Sequence, residues 1–258
     1  MVIISKRLKT IAEKVLPNSK LADIGSDHAL LPTYLAQKDR IKHAVAGEVN
    51  QGPYEAAKKQ VEGANLQSVI QVRLGNGLEV IKQNEIDTIV IAGMGGGLIT
   101  NILDQPFDYT CVSRLILQPN MAEDKVRQWC LDHHWKLAEE EILEEDGKIY
   151  EIIVADRSGN ADEENEHLFS EEDILSECQT KVTTKLKIMM GPYLLSNASS
   201  IFVKKWNREI DKREKVIQQL SQSHLDEAAK KKKEFITEVN QLKEVIKCLQ
   251  TDKPSFSS

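Results

Sequence analysis

The chain has 258 residues, 34 Lys and Arg against 40 Asp and Glu, and 41% hydrophobic residues, enough for one domain of about 150 residues and a smaller one, with about 68–70% of the unfolded surface of such a domain buried. No segment is apolar enough to span a bilayer, and Met1-Val2-Ile3-Ile4 is too short for a signal peptide. The cysteines at 111, 130, 178 and 248 show neither Cys-x-x-Cys pairing nor His-rich ligand spacing, so a cytoplasmic protein with reduced packing thiols and no metal site is expected.

The first helix carries Lys6, Arg7 and Lys9. An apolar run from Leu21 then stops at Asp23, turns through Gly25-Ser26-Asp27-His28, and resumes in a predicted helix from Ala29 to Ala36. A parallel strand ends this way when its carboxyl edge must approach a nucleoside-like cofactor, because glycine lets the backbone come close. The pattern Asp-x-Gly-x-Asp is not the Gly-x-Gly-x-x-Gly that offers bare amides to a pyrophosphate. Its carboxylates repel phosphate and suit a sulfonium or ammonium group, both of which S-adenosylmethionine carries. The alternative is an ordinary strand-to-helix turn capped by Asp or Ser.

Val45-Ala46-Gly47-Glu48 is a second apolar run ending in a carboxylate, about 25 residues after Asp23 and near the spacing of about 20 at which an acidic residue grips ribose hydroxyls. A helix from Pro53 to Val61 follows, with Pro at its first turn. Ile70–Leu74 alternates as a strand and ends at Gly75-Asn76-Gly77, where Asn76 either meets an adenine edge or forms a turn with Gly77. Asp87–Ala92 is a β-branched run suited to a sheet buried on both faces, and it closes in Gly93-Met94-Gly95-Gly96-Gly97. Leu98–Leu103 is a short helix. Arg114–Gln118 is a fifth strand ending at Pro119-Asn120, and Glu123–His133 is a helix. Lys136–Leu143 and Ile149–Ala155 form a hairpin about an Asp146-Gly147 turn. The expected fold is α/β, a Rossmann-like class I methyltransferase sheet, mostly parallel with an antiparallel terminal hairpin, plus a C-terminal helical coiled-coil domain.

The stretches Ile4–Leu8, Asp23–Ala29, Leu31-Pro32, Ala46–Val49, Gly52–Tyr54, Val72–Leu74, Ile91–Gly96, Leu115–Asn120, Ile142–Glu145 and Gly191–Leu194, with Trp206 as a last anchor, make the chain resemble the bacterial tRNA adenine-22 N1-methyltransferases. Leu30 stands where that pattern has Tyr, and Asn76 where Asp is an alternative. The resemblance implies methyl transfer from S-adenosylmethionine to N1 of adenine 22 in the D-arm region of tRNA. It implies cofactor contacts from Asp23, Gly25, Ser26, Glu48, Val49, Asn76, Gly77 and Gly93, with Gly93 beside the transferred methyl. Gly95, Gln118 and Asn120 are expected at the substrate. Met94 is expected against the target base, and Asp27 or His28 as the group that accepts an N6 proton or balances the charge on the methylated base. A structural, hydrogen-bonded role for His28 is the alternative.

Charge divides the chain into an acidic stretch, residues 1–157, a more acidic one, 158–180, and a basic one, 181–258, and the expected domains are an S-adenosylmethionine-binding body, 1–157, an acidic connector or insertion, 158–190, and a C-terminal module, 191–258. In that module Val203, Trp206, Ile210, Ile217 and Leu220, then Phe235, Val239, Leu242, Ile246 and Leu249, follow heptad-like spacings on either side of a polar turn at 221–226. An antiparallel helical hairpin of roughly 30 Å is expected. Its Lys204, Lys205 and Arg208, together with Lys6 and Arg7, are expected on tRNA phosphates, or else form a solvated helix face. A methyltransferase acting on a small molecule or protein, with the coiled coil as an interaction module, is the alternative function. A catalytically silent nucleotide-binding adaptor and a nicotinamide dehydrogenase fit less well. A monomer without an obligate protein partner is expected.

Overall fold

In the computed structural model, which describes residues 1–170, 174–175, 180–222 and 226–251, the chain forms two compact units, residues 1–167 and 168–258. The first opens with α1 (Lys6–Lys14), started by Ser5, whose hydroxyl accepts the Leu8 N–H. There follow β1 (Ser19–Ile24), α2 (Leu30–Ala36), β2 (Ile41–Glu48), α3 (Gln51–Gly63), β3 (Ile70–Leu74), β4 (Thr88–Met94), α4 (Gly96–Leu103), β5 (Arg114–Pro119), α5 (Glu123–Asp132), β6 (Lys136–Glu145) and β7 (Lys148–Asp156). The sheet order is β3-β2-β1-β4-β5-β7-β6, parallel through β5 and antiparallel thereafter. This is the expected class I methyltransferase sheet. Strand order reverses between β1 and β4, and ligands bind at the carboxyl ends of strands beside such a switch point.

Burial follows from the apolar runs. Ile11, Val15, Leu31, Leu35, Ala57 and Val61 from α1–α3 pack with Leu21, Ala44, Val90 and Ile116 on one sheet face. The interleaved Ile89, Ile91, Leu115 and Leu117 are equally buried, which is why these strands read as continuous hydrophobic runs. On the α5 side, Arg127 is fully buried and donates to Glu140 of β6 and Glu151 of β7, both at 2.5 Å. That triad pins the helix to the terminal hairpin.

The expected connector is partly helical. Helix α6 (Ala161–Phe169) lies against the start of β6, where Asn165 accepts the Leu137 N–H at 3.0 Å and donates to the Trp135 carbonyl at 2.8 Å. Lys136 pairs with Glu164 at 2.7 Å. These countercharges come from distant sequence, so an acidic stretch looked unstructured when read locally.

The second unit contains β8 (Ile174–Leu175) and β9 (Thr180–Lys181), then α7 (Thr184–Met190), α8 (Pro192–Ser196), α9 (Ser200–Leu220) and α10 (Asp226–Thr251). Phe202, Trp206 and Ile210 of α9 are buried, as are Val239, Leu242, Val245 and Ile246 of α10, and Arg213–Glu238 and Glu214–Lys243 pairs join the two helices. Residues 223–225, half of the polar turn between them, lie outside the described residues. Cys111 and Cys130 are free, but Cys248 is disulfide-bonded. This corrects the expectation of reduced thiols, because sequence spacing does not reveal which sulfurs fold into contact. Cys178 lies outside the described residues.

Candidate active site

The carboxyl ends of β1, β2, β4 and β5 converge on one cluster. Asp23, last but one in β1, is 4% exposed, and the Ser26 hydroxyl donates to it at 2.5 Å. Burial pushes its pKa up to about 7, with the charges of Glu48 and Asp27 acting in the same direction and the Ser26 hydrogen bond and Arg7 opposing. Gly25 has φ +72° and its N–H reaches the Gly47 carbonyl at 2.9 Å, tying the β1 loop to β2. A Cβ there would collide with the Met94 methyl. Asp27, His28 and Ala29 follow with three successive positive φ values, +43°, +64° and +56°, a left-handed turn that only tertiary contacts can hold.

Glu48, at the end of β2, is 6% exposed. Burial and the Asp27 charge push its pKa up, while the nearby backbone N–H groups of His28 and Asp27 act against the rise. Its Oε1 is buried with no hydrogen-bond partner among the described residues. A buried acceptor without a donor costs about 1–3 kcal/mol, and a vicinal diol is the kind of group that would satisfy it. Gly75 donates to the Glu48 backbone carbonyl at 2.9 Å, so exposed Asn76 follows directly on the pairing of β3 with the end of β2.

Gly93 forms a β-bulge between β4 and β5: Ala92 pairs with Gln118 and Met94 with Pro119, leaving Gly93, φ +78°, outside the ladder. Both of its backbone groups are recovered by side chains. Its N–H donates to Gln118 Oε1 at 3.1 Å, and its carbonyl accepts Asn120 Nδ2 at 2.7 Å. Gln118 Nε2 in turn donates to Asn120 Oδ1 at 3.1 Å, closing a ring. Arg7, arriving from α1, donates to the same Gln118 Oε1 at 2.7 Å and lies 5.5 Å over the Tyr150 ring.

Several expected contacts change role here. Gln118 is 0% exposed and both ends of its amide are hydrogen-bonded within the protein, so it shapes the lip from beneath. Arg7 is engaged in that network and is not an open phosphate ligand. Ser26 serves Asp23. Gly77, φ +61°, packs against Gln105, whose Oε1 accepts the Leu78 N–H at 2.7 Å, so a side chain would not fit there. Met94 is half-buried with its methyl over Gly25. Gly95 is half-buried, and a Cβ on it would lie 3.7 Å from Met121 Cγ. Asp27 and His28 keep exposed side chains, 3.7 Å apart. Val49 and Met121 are exposed apolar residues at strand ends, 62% and 67%; Met121 was missed in the sequence, although a large apolar residue directly after a polar strand end was the available signal. Lys6 is exposed and reaches the Glu144 carbonyl at 3.3 Å. Lys204 and Arg208 are exposed on α9, and Lys205 lies 5.7 Å over the Trp206 ring. Among the described residues no cluster suits a metal ion, and no helix is long and apolar enough to cross a membrane.

Comparison with known proteins gives a consistent set. Residues 21–244 match the family model described as tRNA (adenine(22)-N(1))-methyltransferase. A Bacillus subtilis protein of that name is 41% identical over 245 residues, covering 94% of this chain and 97% of the relative. The crystal structure of the B. subtilis enzyme superposes with a TM-score of 0.83 at 39% identity, covering 95% of this chain and all of that one. A Streptococcus pneumoniae protein bound to S-adenosyl-L-methionine superposes with a TM-score of 0.76 at 37% identity, again covering 95% and 100%.

Proposed function

Because the chain belongs to the tRNA (adenine(22)-N(1))-methyltransferase family, we propose that the cluster of Asp23, Glu48, Asn76 and the Gly93 bulge is where it transfers a methyl group from S-adenosylmethionine to N1 of adenine 22 in tRNA. The orphaned, buried Oε1 of Glu48 carries the placement. A ribose diol donates where the described residues supply no donor, and a cationic ligand suits a pocket whose buried carboxylates have no salt-bridge partner among those residues. Bound there, the cofactor supplies an electrophilic methyl on a positively charged sulfur.

The chain's own residues then have definable tasks. Glu48 accepts hydroxyls, Asp23 offers negative charge to a cation, and Asn76 presents an amide to the adenine edge. Val49 gives the exposed apolar surface beside Glu48. At the acceptor side the Gly93 carbonyl has given one lone pair to Asn120 and retains the other, which suits it to receive an N6–H from the target base. Only a base withdrawn from pairing exposes N1, so the lip must take up an unstacked adenine. Gly95 and Met121 supply apolar contact there. No base need be ionised for N1 to react; the product base acquires a positive charge, which the Asp27 carboxylate balances or which is discharged by transfer of an N6 proton to Asp27 or His28. Lys204, Lys205 and Arg208 of the second unit, with Lys6, neutralise RNA phosphates. Acting on tRNA, the protein works in the cytoplasm, as a monomer.

Incubating the purified chain with unmodified tRNA transcript and mapping N1-methyladenosine tests this: methylation at position 22, lost when that adenine is replaced by guanine, is expected. Modification elsewhere sinks the reading. Exchanging Lys204 and Arg208 for Gln should weaken tRNA binding and reduce the steepness of its salt dependence by roughly one per phosphate contact removed; an unchanged slope removes α9 from the interface.

A further inference from the structure

We propose that Arg7 is a positioning residue for methyl transfer, setting the direction of the hydrogen-bond ring that holds the Gly93 bulge; this rests on the placement of the acceptor base at Gly93. The ring is cyclic. Gly93 N–H donates to Gln118 Oε1, Gln118 Nε2 to Asn120 Oδ1, and Asn120 Nδ2 to the Gly93 carbonyl. A carboxamide can turn over and exchange its oxygen for its nitrogen with almost no change in shape. If Gln118 did so, its NH2 would face the Gly93 N–H, Asn120 Oδ1 would lose its donor, and the bulge would lose the partner of its amide. The Pro119 carbonyl, which accepts Gln118 Nε2 at 2.9 Å, favours the observed orientation from one end of the amide. Arg7 enforces it from the other, because guanidinium offers only donors and so requires oxygen at the contact 2.7 Å away.

The placement of Arg7 is costly enough to need a purpose. It is half-buried, its guanidinium lies on Tyr150, and its backbone N–H and that of Lys6 are both held by the Glu145 carboxylate. The first turn of α1 is thus clamped to the end of β6, and the side chain is delivered inward. A residue meant for RNA phosphate would be left to reach solvent, as Lys6 and Lys9 are. The bulge has no ladder partner of its own, so the ring is what fixes the Gly93 peptide. Displacing a reacting group by about 1 Å can cost 10²-fold in rate.

The test uses full-length protein and tRNA transcript, measuring single-turnover rate, KM for tRNA, cofactor affinity and thermal unfolding. Arg7→Met is expected to lower the rate by about 10–100-fold while KM and cofactor affinity stay within about threefold; Arg7→Lys, which keeps one donor for Gln118 Oε1, is expected to recover part of the loss. Gln118→Glu retains the acceptor for Arg7 and Gly93 but cannot donate to Asn120, and it should slow the reaction with Arg7 intact. Arg7→Met combined with Asn120→Ala should be no slower than the slower single variant, since both break one ring. If Arg7→Met does not fold, Arg7→Lys and Gln118→Glu carry the test. An unchanged rate, a rise in KM alone with a shallower salt dependence, or additive losses in the double variant would overturn the proposal. Wild-type protein that leaves adenine 22 unmethylated would instead overturn the placement of the reaction.

Discussion

Two groups of buried carboxylates lie on either side of β5, and the protein treats them in opposite ways. Toward the hairpin end, Glu140 and Glu151 are each held by Arg127 at 2.5 Å, with all three side chains at most 1% exposed. Toward the parallel end, Asp23 and Glu48 are nearly as buried, 4% and 6%, but among the described residues no salt bridge reaches them. Asp23 has the Ser26 hydroxyl, and one Glu48 oxygen has nothing. A closed cluster contributes to the fold. An open one raises the energy of the empty site, and a cationic ligand with hydroxyls recovers that energy on binding. Raised pKa values at Asp23 and Glu48 are the electrostatic signature of the open cluster.

The largest effect that could break this contrast comes from Arg127→Met. Removing the cation strands two buried carboxylates, and the expected loss is about 3–5 kcal/mol of stability, read by denaturant unfolding. Glu48→Ala should behave in the opposite sense. It removes an under-satisfied carboxylate, so the melting temperature is expected to hold or rise, while cofactor affinity falls by about 1.5–3 kcal/mol if two hydroxyl hydrogen bonds are lost. Titration calorimetry of both variants decides the matter; equal destabilisation by the two would erase the distinction.

A smaller effect sharpens it. Asp23 titrates near 7 in the folded protein against an ordinary value of 3.8. A carboxyl raised on folding contributes stability that is fully present below its unfolded value and is lost as pH rises through about 7, so the free protein is expected to soften between pH 4 and 7. Binding of a cation prefers the ionised form and runs the other way. Affinity for S-adenosylmethionine should therefore fall as pH drops below about 7, by at most about tenfold per unit, with proton release on binding at pH 6. Asp23→Asn should flatten that dependence, and a profile as steep as wild type would assign the titration to another group.

How far the sequence carried this contrast differs by element. The parallel strands were legible because their apolar runs are short and continuous and end in Asp23, Glu48 and the Gly93 cluster, so local pattern and site coincide. The bulge at Gly93 was not, since it depends on the register of β4 against β5. Nor was the ring, which needs Gln118 and Asn120 from one strand end and Arg7 from a helix more than a hundred residues earlier. Helix α6 escaped for a related reason: Glu164 and Asn165 gain their partners from β6. Arg127 was read only as part of a helix, because nothing in Glu139-Glu140-Glu141 says which carboxylate turns inward.

The smallest effect concerns the turn that joins the open cluster to α2. Asp27, His28 and Ala29 all hold positive φ, at a cost of about 1–2 kcal/mol for each non-glycine residue, and the backbone N–H groups of the first two lie near the Glu48 carboxylate and oppose the rise in its pKa. The strained backbone thus turns two N–H groups toward that carboxylate. His28→Gly relieves the steric cost but adds about 0.5–1 kcal/mol of chain entropy to the unfolded state, so a net gain of at most about 1 kcal/mol in stability is expected. The ring of His28 is half-exposed, 3.7 Å from Asp27, and contributes little to packing. Rate then separates its two parts. If the backbone N–H is the functional group, His28→Gly and His28→Ala keep cofactor affinity and turnover near wild type, with glycine the more stable of the two. If the imidazole accepts an N6 proton from the methylated base, both variants bind cofactor normally and turn over slowly, and only the stability difference between them reports the strain.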